Sequence, residues 1–265
     1  DDTSGESVVS VTIVAITAAP HPERADEVEV AVVTDGEGAI EVTCTADNDP
    51  IEVHRLPSVG GPAHALTFFG LLAETAYTCT ATSGGTSATA TLTTATWEGL
   101  HNINQEGDAD ASRGYTLFNV GDLCGGGPNA VYIVDPEGRP RWRWQVPEQS
   151  TPDIDASWLG DGRLLIGGGA GIYGSGDGNV RLMDLRGEVS LHRENPEEGG
   201  DFNHHVEMLE SGEILSILWQ LNQGTQGTFV GFGLEKYDPV ANVVTWTWNS
   251  QSAIDAGTLP SGSRN

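Results

Sequence analysis

Hydrophobic and polar positions alternate with a period of two along most of this chain. Val28-Glu-Val-Ala-Val-Val33 and Ile40-Glu-Val-Thr-Cys-Thr45 read as half-buried strands, with Asp35-Gly36 and Glu37-Gly38 as the turn between them. Thr86-Ser-Ala-Thr-Ala-Thr-Leu-Thr-Thr94 reads as a Thr-rich closing strand. About seven strands fit between residues 8 and 96, the density of a β-sandwich. Residues 97–114, rich in Asp, Asn and Gly, form a bridge, and residues 1–7 read as a polar linker. No amphipathic helix is expected, and Ala253–Asn265 reads as a polar loop.

From residue 115 onward the pattern repeats. Val131-Tyr-Ile-Val-Asp135-Pro-Glu-Gly138 is echoed by Leu182-Met-Asp184-Leu-Arg-Gly187 and by Leu234-Glu-Lys-Tyr-Asp238-Pro239. Trp142-Arg-Trp144 returns as Trp246-Thr-Trp248, and Trp158-Leu-Gly-Asp-Gly162-Arg-Leu-Leu-Ile166 as Met208-Leu-Glu-Ser-Gly212-Glu-Ile-Leu-Ser-Ile217. Short strands and Gly-Asp turns at a period of about 40–50 residues are the signature of β-propeller blades. About three blades fit into residues 115–265, whereas a closed ring needs at least about four. The ring is therefore expected to be incomplete here, and to be completed by further polypeptide of which this chain is a fragment, or by self-association.

Composition narrows the partners. The formal net charge is −26, with 38 acidic residues against 12 basic ones and a single lysine, Lys236. Such a field repels nucleic acid and anionic membrane surfaces. No apolar run is long enough to span a bilayer. The polar start Asp1-Asp-Thr-Ser fits a mature secreted, periplasmic or cell-surface protein, lipid-anchored before Asp1 or freed of its leader. Cys44, Cys79 and Cys124 form no Cys-x-x-Cys pair, which excludes zinc ribbons and dithiol redox motifs. A Cys44–Cys79 disulfide is expected outside the cytoplasm, with two separate buried thiols as the alternative and Cys124 left over.

Gly70-Leu-Leu-Ala-Glu-Thr-Ala-Tyr77 resembles the corner-tyrosine stretch of fibronectin type III modules. That resemblance implies that Cys44 and Cys79 lie on neighbouring strands. Gly114-Tyr-Thr-Leu-Phe118, Val131–Asp135 and Trp142–Trp144 resemble the opening blade of bacterial arylsulfate sulfotransferases. Asn203-His-His-Val-Glu-Met-Leu-Glu-Ser-Gly-Glu-Ile-Leu215 is similar to that family's His-Asp-Val-x-x-Leu-Pro-Asn-Gly-Asn-Ile-Leu segment.

The resemblance implies an all-β chain, a fibronectin type III/Ig-like sandwich followed by propeller blades. It also implies transfer of a sulfuryl group from a small aryl sulfate to a phenol without nucleotide sulfate; no cofactor and no metal are expected. An imidazole suits this work, because a neutral ring nitrogen attacks sulfur and gives a labile N–S bond. His204 takes the place of the family's histidine. His205 stands where the family carries an acidic residue. Strand alternation turns only one of the two into the channel, and His204 is the expected one. The further His and Arg groups that the resemblance implies, including the sulfated histidine, are absent from residues 1–265, so His204 is read as a sulfate-binding or acid/base group. The rival reading is a non-catalytic extracellular propeller for ligand binding or surface assembly.

Other motifs carry less. Gly169-Ala-Gly171-Ile-Tyr-Gly174 spells a dinucleotide fingerprint, but a strand rather than a helix is expected to follow it. Asp153-Ile-Asp155-Ala-Ser157 opens like a calcium loop but has Trp158 and Leu164 where Gly and Glu are required. Asp135–Gly138 with Trp142 resembles quinoprotein blade repeats, but no vicinal cysteines exist to stack on a quinone. His21, His54, His64 and His101 are read mainly as surface residues, and His192 as a distant second site candidate. The arginines are expected mostly to pair with carboxylates.

Overall fold

The computed structural model describes residues 10–99, 114–120, 129–146, 153–169, 178–194, 200–224 and 227–258. They form antiparallel sheets and one short helix. The chain divides into two compact units, Asp1–Gly114 with Val134–Trp142, and Tyr115–Ile133 with Arg143–Asn265. No helix among the described residues is long and apolar enough to cross a membrane.

The first unit holds β1 (Ile13–Pro20), β2 (Val28–Thr34), β3 (Gly38–Ala46), β4 (Asp49–Gly60), β5 (Ala63–Phe68), β6 (Ala76–Ser83) and β7 (Thr86–Thr93). They pair as two sheets, in the orders β1-β2-β5 and β4-β3-β6-β7. Alternation explains the core. Val28, Val30 and Val32 of β2 face inward, as do Ile40, Val42 and Cys44 of β3 and Tyr77, Cys79 and Ala81 of β6. Cys44 stands directly opposite Cys79 across β3 and β6, and the two form a disulfide, as expected. The Tyr77 hydroxyl accepts a hydrogen bond from the Leu72 amide at 2.9 Å and donates to Glu52 at 3.3 Å. Burial pushes the Tyr77 phenol up to about 12.

A buried charge cluster ties the segment Val134–Trp142 into this unit. Arg141 donates to both oxygens of Glu52, to Asp135 Oδ2 at 2.8 Å and to the Gly70 carbonyl at 3.1 Å. His54 Nε2 lies 2.8 Å from Glu52. Burial alone would raise the Glu52 carboxyl, but hydrogen bonds from Arg141 and His54 outweigh it and hold the group at about 2.

Three further antiparallel sheets follow along the chain, the last two of them wholly within the second unit. The first has the order β10-β9-β8, from β8 (Thr116–Val120), β9 (Ala130–Val134) and β10 (Pro140–Gln145). The next runs β11 (Asp153–Trp158), β12 (Arg163–Gly169), β13 (Asn179–Asp184), β14 (Val189–Glu194), in chain order. The last runs β15 (Asp201–Met208), β16 (Ile214–Gly224), β17 (Gly227–Asp238), β18 (Val243–Asn249), also in chain order. Trp142 and Trp246 occupy outermost strands of the first and last sheets. Consecutive residues Leu164, Leu165 and Ile166 are all buried, because the middle sheet is covered on both faces. One of those faces packs on the last sheet through Leu165, Val180, Phe202, Val206 and Leu218. The approach is close, since a Cβ on Gly178 would lie 2.8 Å from the Phe202 amide nitrogen.

The repeated aspartates are turn caps. Asp135, Asp184 and Asp238 each accept backbone N–H bonds through Oδ1, from Glu137 and Arg139, from Arg186 and Glu188, and from Val240 and Ala241. Gly138 and Gly187 take φ of 77° and 84° in the first two turns, the left-handed region that favours glycine.

Two expectations are corrected. Ser250–Asp255 forms a short helix that takes in Ala253–Asp255, the start of the Ala253–Asn265 stretch expected as a polar loop, because Asn249 accepts the Ser252 amide proton at 2.7 Å and Ala253 is buried. His64 is a core residue rather than a surface one. It is buried on β5, with Nδ1 at 3.0 Å from the Ser58 hydroxyl.

Candidate functional site

The expected histidines sit on β15, the first strand of the last sheet. The strand is irregular there. Phe202 pairs with Leu218 and Val206 with Ser216, so Asn203, His204 and His205 stand opposite the single residue Ile217. Such a bulge interrupts strict alternation and re-aims side chains. The alternation argument that separated His204 from His205 therefore has no footing at these positions. The side chain of His204 lies outside the described residues.

His205 is exposed and reaches across to the first strand of the middle sheet. Its Nδ1 lies 2.7 Å from Asp155 Oδ2, in β11. An ionised carboxylate only accepts, so Nδ1 is the nitrogen that donates to it, and in the neutral ring Nε2 then presents its lone pair. No partner engages Nε2 among the described residues. The pair thus fixes the tautomer and the ring plane of an imidazole that can take or return a proton at Nε2. Asn203, beside it, is buried, as is Asp201.

Asp155 lies on a strand and not in a cation-binding loop, and no group of three or more His, Cys, Asp or Glu residues capable of holding a metal occurs among the described residues. Gly169 ends β12, and a strand, Asn179–Asp184, resumes after it. Residues 170–174 of the glycine motif, together with Cys124 and His101, fall outside the described residues.

The arginines do pair largely with carboxylates: Arg139 and Arg141 with Asp135, Arg163 with Asp161, Arg193 with Glu235. Arg193 also stacks 4.3 Å from the Tyr237 ring and 5.4 Å from Phe202. Arg181 differs. It lies half-buried, 5.3 Å from the Trp144 ring, and burial lowers its pKa against the opposing charge of Glu194. His192, the other sequence candidate, is the cross-strand partner of Arg181 and lies 3.6 Å from Glu194.

Sequence reasoning did not find Asp155 as a partner of His205. The two are 50 residues apart and meet across two sheets. The available signal was their places, each on the first strand of its repeat. No protein-family model and no curated protein matches the chain.

Proposed function

We propose that this chain is part of a secreted, arylsulfate sulfotransferase-like protein, a fibronectin type III-like sandwich followed by propeller blades. In this reading the β15 histidines handle a sulfuryl group passing between phenols. The strand orders β1-β2-β5 and β4-β3-β6-β7, together with the Tyr77 corner, support the sandwich assignment. Successive antiparallel sheets packed face to face, repeating the same Asp-capped turn, support the blades.

The observation that carries the chemistry is the His205–Asp155 pair joining the first strands of two consecutive sheets. In a propeller those strands line the central channel. As the acceptor oxygen attacks sulfur, His205 Nε2 takes the phenol proton. When the donor S–O bond breaks, the imidazolium returns a proton to the departing phenolate. Asp155 stabilises the positive charge held on the ring between these steps. His204, aligned with the family histidine, remains the residue assigned to contact the sulfuryl oxygens.

Kinetics with 4-nitrophenyl sulfate as donor and phenol as acceptor test the assignment in the full polypeptide. His205→Ala and His204→Ala should each lower kcat/KM by ~10²–10⁴-fold, and Asp155→Asn by less than His205→Ala. Unchanged kinetics in both histidine variants would remove the pair from the chemistry.

One observation favours the non-catalytic alternative. The charged group that meets His205 is a carboxylate, and Arg193 and Arg181 of the middle sheet are taken up by Glu235 and Trp144. A scaffold of this kind would show no sulfuryl transfer over a panel of phenyl sulfates and phenols.

A further inference from the structure

The face of the β15–β18 sheet turned away from β11–β14 is open and largely apolar, with Lys236 Nζ lying on it 5.8 Å from the Trp246 ring. Leu221, Phe232, Trp246 and Trp248 are exposed by 75%, 49%, 43% and 38%. Register puts them on one side. Leu234 stands between Ile217 and Trp248, Lys236 between Leu215 and Trp246, and Trp219 opposite Phe232. The corresponding face of β11–β14, with Leu165, Val180 and Leu182, is buried. Contiguous exposed aromatic surface of this kind marks an interaction site.

The two junctions already present specify the occupant. Trp144 of β10 lies against Arg181 of β13, and Arg193 of β14 lies against Glu235 of β17. Arg181 and Glu235 each stand three residues before the turn aspartate of their own sheet, Asp184 and Asp238. Arg193 and Trp248 are equivalent, being the cross-strand partners of Val180 and Leu234, each four residues before that aspartate. Trp144 matches Trp248 through the repeated Trp-x-Trp pair. At each junction, therefore, one outer-strand position meets the residue three before the next turn aspartate. The partners are matched in chemistry, a guanidinium on an aromatic ring and a guanidinium on a carboxylate. Trp248 is the third instance of the outer-strand position.

We propose that this open face seats a further antiparallel sheet of the same repeat. The residue three before that sheet's turn aspartate is a guanidinium stacked on Trp248. The inference rests on the blade reading of the sheets and is independent of sulfuryl transfer. A second copy of this chain is a poor occupant. Each copy carries a net charge of −26, and Arg181 and Arg193 are already engaged.

The test appends a second copy of residues 151–200 after residue 265, so that its own Arg181 equivalent can reach Trp248. Acrylamide quenching should lose the component that Trp248→Phe removes. Arg181→Glu in the appended copy should restore it. An appended copy that is protected from hydrogen exchange yet leaves that component unchanged overturns the proposal, as does its loss with the Arg181→Glu copy. The unextended chain supplies an independent check by sedimentation velocity. The expected result is a monomer that binds the dye anilinonaphthalene sulfonate and loses it on combined Trp246→Glu and Trp248→Glu substitution. A dimer dissolved by those substitutions makes a second copy the occupant, and a monomer that binds no dye means the face is not open; either overturns the proposal.

Discussion

Asp26 and Glu52 carry opposite pH signatures in one unit. Asp26 is fully buried, with Oδ2 at 3.2 Å from Arg24 and no partner for Oδ1. Burial, partly offset by Arg24, raises its carboxyl from 3.8 to about 6. An acid raised in the folded state favours folding only while protonated, so this contribution is lost as pH rises from 3.8 to about 6. Glu52 is lowered from 4.5 to about 2, and its contribution is lost as pH falls through that window. Urea titrations over this range should therefore show Asp26→Asn flattening the decline between pH 4 and 6, and Glu52→Gln flattening the acid limb. An Asp26→Asn profile parallel to wild type would contradict the burial argument. Arg141→Ala removes the cation from a buried cluster and should cost ~3–5 kcal/mol, read from the same titrations. The sequence anticipated arginine–carboxylate pairing as a class. It did not anticipate that Arg141 meets Glu52, because the two are 89 residues apart and nothing local links them.

Strands and turns were the legible elements. Period-two alternation marks the inward valines of β2, and the three-fold Asp turn marks where the sheets reverse. The capped turns predict their own energetics. Asp184→Ala leaves the Arg186 and Glu188 amides without their acceptor and should cost about 1–2 kcal/mol. Asp135→Ala should cost more, because Asp135 also holds Arg139 and Arg141. Equal losses in chemical denaturation would contradict the extra role given to Asp135. The β15 bulge was not legible. Asn203-His204-His205 reads as ordinary strand, and the extra residues show only once β15 is set against β16. The cap of the short helix left a signal that was missed, since Asn249 three residues before Ser252 is an N-cap arrangement.

At the scale of the molecule, one disulfide staples the first unit, and the second holds two complete antiparallel sheets in succession. The Cys44–Cys79 bond closes a separation of 35 residues, so reduction should destabilise the first unit by about 2–4 kcal/mol. A melting transition of that unit insensitive to reductant would contradict this. Repeat length and turn chemistry made the all-β plan readable, whereas contacts between sheets, His205 with Asp155 among them, depend on how the repeats stack. The central claim is that the imidazoles of β15 assist the passage of a sulfuryl group from one phenol to another. Mass spectrometry of the products formed by the full polypeptide from 4-nitrophenyl sulfate and phenol tests it most directly. The account predicts phenyl sulfate in step with 4-nitrophenol release, and its loss when His204→Ala and His205→Ala are combined. No phenyl sulfate, or the same yield without both imidazoles, would contradict it.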